Sequence, residues 1–392
     1  MEMHMRDWKI DTLAAHLTRR GMPGPVVDPI AVSTTYVLKD VEEGARFAQA
    51  RAPTTYYSRW GTPANRLVED TVAALEGGTY GLATGSGMGA ISSALMAVLS
   101  EGSHIVAGRS LYTATTEMMT RFLSGYGVET SFVDPTRKGA FEDCVRDQTA
   151  VVYVETPANP TMLITDIAEA VEAAGKVGAL VFVDNTFATP VNQRPLELGA
   201  DVVLHSATKY LGGHSDVTGG VVVTRKEDLF ERIWETYKLL GPMLGAVDAF
   251  LIGRGIRTLP LRVRRHNETA QGLAEFLEDH PRVSRVHYPG LTSFPQHELA
   301  RRQMMGFGGM LSFELEGGYE AAVSLVERLQ LALLAVSLGG PQTLVEHAAS
   351  MTHGTLTREE REEAGIPEGL VRVSVGLEDV EDLKEDFDQA LR

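Results

Sequence analysis

Lys209 lies just beyond a short hydrophobic run, Asp201-Val-Val-Leu204, inside the segment His205-Ser-Ala-Thr-Lys-Tyr210. Asp184 ends a similar run, Leu180-Val-Phe-Val183, and precedes Lys209 by 25 positions. A glycine-rich turn, Thr84-Gly-Ser-Gly-Met-Gly-Ala90, stands before a helical stretch at 91–99. Gly87 and Met88 can offer backbone N–H groups to an anion at that helix start. Ser206 and Thr208 can add hydroxyls, and Tyr112, just after another strand-like run, can add a ring face. One cofactor uses all of these. Pyridoxal 5'-phosphate (PLP) needs a lysine amine for its aldehyde and a carboxylate that keeps its pyridine nitrogen protonated. Its phosphate needs donors and its ring suits an aromatic neighbour. Each residue alone has an ordinary role: Asp184 could cap a turn, Ser206 and Thr208 could cap a helix, and Lys209 could be solvated. The ordered combination carries the specificity.

The same glycine turn satisfies the loose dinucleotide pattern G-x-G-x-x-[GA] through Gly85, Gly87 and Ala90. That alternative, a dinucleotide-dependent oxidoreductase, has a poor strand before the turn at 80–83. The strand after it ends in Gly108-Arg109 rather than a ribose-binding acid, and Asp184 and Lys209 have no task in it.

The elements that must position these residues follow from hydrophobic pattern. Runs at 103–107, 129–133, 150–155, 180–184, 201–204 and 220–223 are continuously apolar, as strands covered on both faces are. A helical period at 65–75 precedes them, and segments such as 167–177 separate them. This rhythm predicts an α/β fold with a mostly parallel, doubly wound sheet, whose ligand sits at the carboxyl ends of its strands. Three such ends carry reactive groups: Glu155-Thr-Pro-Ala-Asn159-Pro160, Asp184 and the Lys209 segment. Beyond about residue 255 the pattern changes to helices at 267–279, 321–329 and 377–391 with short strands at 283–288 and 309–314. The expected organisation is an irregular N-terminal arm (1–60), a large cofactor-binding domain (61–255) and a smaller α+β domain (256–392).

The chain has 392 residues, more than the roughly 250–300 at which single cores stop growing. Its net charge of −16 argues against nucleic acid or acidic membranes as general partners. With Cys144 as the single cysteine, an internal disulfide is impossible and a cysteine-built metal site is not expected. Residues 1–20 mix charges without an apolar core, unlike a secretory leader, and no apolar run is bilayer-sized. A cytoplasmic location with no metal is the expectation.

Longer motifs extend the picture: Tyr57-Ser-Arg-Trp-Gly-Thr-Pro-Ala-Asn65, Ser86-Gly-Met-Gly-Ala-Ile91, Glu155-Thr-Pro-Ala-Asn-Pro160, Val183-Asp-Asn-Thr-Phe187, His205-Ser-Ala-Thr-Lys-Tyr-Leu-Gly-Gly-His214 and Val371-Arg-Val-Ser-Val-Gly-Leu-Glu-Asp379. From about Tyr56 to Leu391 the sequence resembles the Cys/Met-metabolism PLP enzymes, which include cystathionine γ-lyase, γ-synthase and β-lyase, methionine γ-lyase and the homoserine-ester sulfhydrylases. The resemblance implies an aspartate-aminotransferase-like (fold type I) large domain, a small C-terminal domain and a homotetramer built from two catalytic dimers. It implies Lys209 as the Schiff-base lysine that also moves protons, Asp184 as partner of the pyridine nitrogen and Tyr112 as the stacking tyrosine and acid or base near the leaving group. Gly87, Met88, Ser206 and Thr208 become the phosphate cup, with Asn159 near the ring hydroxyl. Tyr57 and Arg59 reach the phosphate from the neighbouring subunit. Arg372, with Ser337 beside it, clamps the α-carboxylate of a small amino-acid substrate.

The choice of reaction turns on the pocket. Cystathionine γ-lyases and γ-synthases usually carry glutamate just before the serine of Ser-Leu-Gly-Gly, where this chain has Val336. That resembles methionine γ-lyase, although those enzymes usually have cysteine where this chain has Ala114. The sulfhydrylases are usually longer. The expectation is PLP-dependent γ-elimination on methionine or a related sulfur amino acid such as cystathionine or homocysteine, with γ-replacement as the alternative.

Overall fold

Seven strands build the larger sheet of the computed structural model, which describes residues 8–16 and 25–392. They are β1 (Tyr80–Thr84), β2 (His104–Gly108), β3 (Glu129–Val133), β4 (Thr149–Glu155), β5 (Leu180–Asp184), β6 (Val202–Ser206) and β7 (Gly220–Thr224). Their order is β1-β7-β6-β5-β4-β2-β3. Strands β6, β5, β4, β2 and β3 run parallel, and β7 is antiparallel to both of its neighbours. The sheet is therefore mostly parallel, as the alternation of runs and helices predicts.

Successive side chains of a strand point to opposite faces. Val203 packs in a core with Val68, Val72 and Ile252 from helices Pro63–Leu75 and Ala246–Ile256. Its neighbours Val202 and Leu204 pack with Ile91, Leu95 and Phe230 from helices Gly87–Met96 and Glu227–Leu240. Both faces of the central strands are covered, which is why they read as unbroken apolar runs; edge strand β3 differs from that expectation, since of its residues only Val133 is buried.

Strand β1 differs from its reading as a poor strand. It pairs along its whole length with β7, and four of its five residues are buried. Helix Pro63–Leu75 lies so close that a Cβ on Gly81 would come 2.3 Å from the backbone oxygen of Glu69. The small residues that weaken the strand signal are the ones this contact requires.

Five strands form the second sheet: β8 (Val283–His287), β9 (Met310–Leu315), β10 (Leu333–Leu334), β11 (Leu344–His347) and β12 (Leu370–Ser374), in the order β10-β11-β12-β9-β8. Helices Leu259–Glu278, Gly318–Arg328 and Val380–Leu391 bury Leu273, Leu325 and Phe387 against Val371, Val373 and Phe313. The long helix begins eight residues before the predicted start of 267, and its Pro260 fits the first turn, where the missing N–H costs nothing.

Residues 25–60 are less irregular than expected, since Val41–Gln49 is a helix, capped by Asp40. Helix Ile10–His16 puts Leu13 and Ala14 into the core beside Val68 and Val72. Residues 1–7 and 17–20 of the stretch read for a leader lie outside the described residues. Among the described residues no helix is long and apolar enough to cross a membrane, and no group of three or more His, Cys, Asp or Glu is arranged to hold a metal.

Candidate active site

Parallel strands β4, β5 and β6 end on one rim, and the register sets Glu155 opposite Asp184 on the neighbouring strand. Lys209 follows β6 in a tight turn. A cavity of about 550 Å³ opens there. Gly87, Met88, Tyr112, Asn159, Asp184, Ser206, Thr208, Lys209, Val336, Ser337 and Arg372 all line it. These are eleven of the thirteen site residues proposed from sequence. The other two, Tyr57 and Arg59, are outside it. The Arg59 guanidinium lies 5.3 Å from the Tyr57 ring centre and donates to the backbone oxygen of Lys238.

The floor is built from turn chemistry. Ser86 caps helix Gly87–Met96 by accepting from Gly89 N at 3.0 Å. Among the described residues nothing takes the N–H groups of Gly87 and Met88. A Cβ on Gly87 would come 2.9 Å from Ser206 Cβ, so the helix start and Ser206 meet only because residue 87 is glycine. Ser206 N donates to Thr186 Oγ1 at 2.8 Å, while Thr208 Oγ1 is tied to Gly219, accepting from its N–H at 3.0 Å.

Arg372 comes from the other sheet. On β12, Val371 and Val373 face the small core, so Arg372 projects from the opposite face, between register partners Glu346 on β11 and Ser312 on β9. That face meets the rim of the large sheet. Arg372 Nη1 donates to Asn159 Oδ1 at 2.9 Å, Nη2 donates to Ser337 O at 3.0 Å, and Nη1 lies 3.1 Å from Glu346 Oε1. Ser312 Oγ donates to Pro160 O at 2.7 Å. Lys209 Nζ donates to Ser337 Oγ at 3.0 Å. Ser337 adopts φ 83°, a conformation that non-glycine residues hold only when the surroundings enforce it. Here Lys209 and Arg372 grip it from two sides.

The electrostatics suit acid–base work. Burial, and then the Arg372 charge, bring Lys209 down to about 8, so its neutral amine is accessible near physiological pH. Asp184 is raised by burial, a tendency opposed by its hydrogen bonds from Thr186. Glu155 has a role that its motif does not announce. Burial, and then the Asp184 charge, push it up to about 8. Its two oxygens accept from Tyr112 N at 2.8 Å and Asn159 N at 3.0 Å, so this one carboxyl places both residues. Phe187, the end of another motif, lines the cavity, as do Thr352 and Thr355, and none of these three, nor Glu346, stands out as a site residue in the sequence.

The donor set fits PLP: an amine of lowered basicity, a buried carboxylate on the neighbouring strand, free N–H groups at a helix start with a hydroxyl beside them, and a glycine where a side chain would block the cup. A profile of the family described as Cys/Met metabolism PLP-dependent enzyme matches residues 11–392. The chain belongs to that family. It is 45% identical over 396 residues to an L-methionine gamma-lyase of Fusobacterium nucleatum subsp. polymorphum, covering 99% of each chain. It is 43% identical over 392 residues to the cystathionine beta-lyase MetC of Bacillus subtilis (strain 168), covering 100% of this chain and 98% of that one. A crystal structure of cystathionine gamma synthase from Xanthomonas oryzae pv. oryzae, in complex with aminoacrylate and cysteine, superposes with a TM-score of 0.92 at 41% identity, covering 98% of each chain. The large domain is accordingly of the fold type I class and the enzyme is PLP-dependent. Membership in this family leaves no place for the dinucleotide alternative.

Proposed function

We propose that this enzyme catalyses γ-elimination on L-methionine or a related sulfur amino acid such as homocysteine or cystathionine. For methionine the balance is methionine plus water giving methanethiol, 2-oxobutanoate and ammonia. One observation carries the reading. Where a fixed charge would recognise a distal ammonium, the cavity presents Val336, 56% exposed at its mouth, with Ala114, Ile91, Met88 and Leu338 also lining it. An apolar wall suits a thioether and gives a second amino group nothing to pair with.

Bound PLP supplies an electron-accepting ring for the charge left when Cα loses its proton. The chain's residues do the rest. Asp184 holds a positive charge at the ring nitrogen. Lys209, anchored by Ser337, takes the Cα proton as a neutral amine and returns protons along the substrate. Tyr112, 47% exposed at the cavity, serves as acid or base for the leaving group. Arg372 takes the α-carboxylate beside Ser337. Gly87, Met88, Ser206 and Thr208 would hold the phosphate, and Asn159 would serve the ring hydroxyl. Tyr57 and Arg59 complete the cup of a neighbouring copy. This reading includes the arm, large domain and small domain at 1–60, 61–255 and 256–392, a homotetramer and a cytoplasmic location. Exposed Val26, Val32, Val37 and Val41 along the arm support its burial on a partner.

Glu117 favours a second reading. It also lines the cavity, with its carboxylate 3.5 Å from Arg121. An acid there could receive a distal ammonium, which suits cystathionine as substrate, or as product of γ-replacement on a homoserine ester. Parallel assays on L-methionine and L-cystathionine, with O-acetylhomoserine plus cysteine as the third arm, separate these. A strong preference for cystathionine with no 2-oxobutanoate from methionine would overturn the first reading.

A further inference from the structure

Arg372 is occupied at one end and open at the other. Nη1 donates to Asn159 Oδ1 at 2.9 Å and lies 3.1 Å from Glu346 Oε1 in a buried ion pair. One Nη2 hydrogen goes to Ser337 O. The buried Nε has no partner among the described residues. Nε shares one edge of the planar guanidinium with Nη2, and such an edge matches the two oxygens of a carboxylate.

Glu346 is what fills the other end. It is 1% exposed, and the β11–β12 register sets it directly across from Arg372. Its Oε1 also accepts from Thr352 Oγ1 at 2.6 Å. Thr352 lines the cavity, and its backbone oxygen accepts from Thr113 Oγ1 at 3.1 Å, one residue after Tyr112. A buried guanidinium without a counter-charge is costly. A carboxylate on the Nε–Nη2 edge would compete with substrate; one on Nη1 neutralises the arginine without doing so.

We propose that Glu346, oriented by Thr352, is a positioning residue that occupies the Nη1 end of Arg372 and so presents the Nε–Nη2 edge to the substrate α-carboxylate. The inference rests on Arg372 being the carboxylate clamp.

The test compares L-methionine with L-methioninamide, which keeps the amine and loses the carboxylate. Binding of each to the holoenzyme is read from the visible absorbance of the bound cofactor, for wild type, Glu346→Gln, Thr352→Val, Thr352→Ser and Arg372→Lys. In Glu346→Gln, methionine binding and KM should weaken about tenfold as the ion pair that holds the guanidinium is lost, while methioninamide binding and kcat stay within about threefold. Thr352→Val should move in the same direction by less, and Thr352→Ser should return to wild type. If Arg372→Lys loses its preference for the carboxylate but Glu346→Gln keeps it, the positioning role is wrong and the clamp stands. If Arg372→Lys also keeps the preference, the clamp itself is wrong and the inference goes with it. Equal weakening of both ligands in Glu346→Gln would mark general damage and overturn the proposal. Should Glu346→Gln not fold, the threonine pair decides: an unchanged preference in Thr352→Val overturns it, and a loss reversed by Thr352→Ser supports it.

Discussion

Glu155→Gln should change how the stability of the cofactor-free enzyme depends on pH. In the folded chain, burial and the Asp184 charge push Glu155 from 4.5 to about 8. Between those values the unfolded chain has released this proton and the folded chain keeps it. The folded state therefore binds more protons, and stability falls as pH rises through that window. A rise from 4.5 to about 8 corresponds to about 5 kcal/mol. Asp184 is raised by the same burial, so part of the effect belongs to the pair, and about 2–5 kcal/mol is expected on removing Glu155. The amide has one cost of its own. Both Glu155 oxygens accept backbone N–H groups, from Tyr112 and Asn159, so the Gln NH₂ must face one of those donors. That costs about 1–3 kcal/mol at every pH. The variant should thus be less stable than wild type near about pH 5, and the gap should close or reverse near about pH 8.5, the two ends of the window. Urea unfolding of both proteins at the two pH values, followed by circular dichroism, measures the gap. Contributions of titrating groups that do not interact with Glu155 cancel in the difference, and that of Asp184 is included in the range above. An equal gap at both values would refute the argument, because it would mean that Glu155 is ionised in the folded protein throughout.

Gly87→Ala should weaken PLP binding by about 5- to 150-fold, the consequence of about 1–3 kcal/mol of overpacking where the new Cβ would sit 2.9 Å from Ser206 Cβ; equilibrium titration of the cofactor-free protein reads it, and unchanged affinity would remove Gly87 from the phosphate cup. Val336→Glu should raise the ratio of kcat/KM for cystathionine over methionine only modestly, by up to about fivefold, because a charge at such an exposed position is worth about 0.2–1 kcal/mol. No rise in that ratio would make Val336 a packing residue. Lys209 titrates near about 8, so PLP uptake by the cofactor-free enzyme should speed up with pH through that value and then level off, since the neutral amine is the nucleophile. A flat rate profile across the window would contradict the lowered basicity.

Much of the site was legible because strand ends and turns announce themselves locally. Asp184 and the Lys209 segment close apolar runs, and Gly87 opens a helix. The rest depends on relations between distant segments. Glu155 was visible as a residue, but its role comes from lying one strand from Asp184 and reaching two backbone N–H groups, which no spacing encodes. Glu346 stands far from Arg372 in sequence and meets it only through antiparallel register. Strand β1 was hard to read because packing under a helix demanded Gly81 in place of a β-branched residue. The long helix Leu259–Glu278 hid its first turns behind a run of arginines, one of which, Arg262, is buried and bonds to Tyr210 O and Gly255 O.

The assignment of Lys209 as the anchoring amine stands at the centre of the account. Borohydride reduction of the holoenzyme, followed by digestion and mass spectrometry, tests it directly. The account predicts a pyridoxyl phosphate adduct on the peptide carrying Lys209 and no reducible cofactor in Lys209→Ala. An adduct on another lysine of the wild-type protein, or a reducible cofactor surviving in Lys209→Ala, would contradict it.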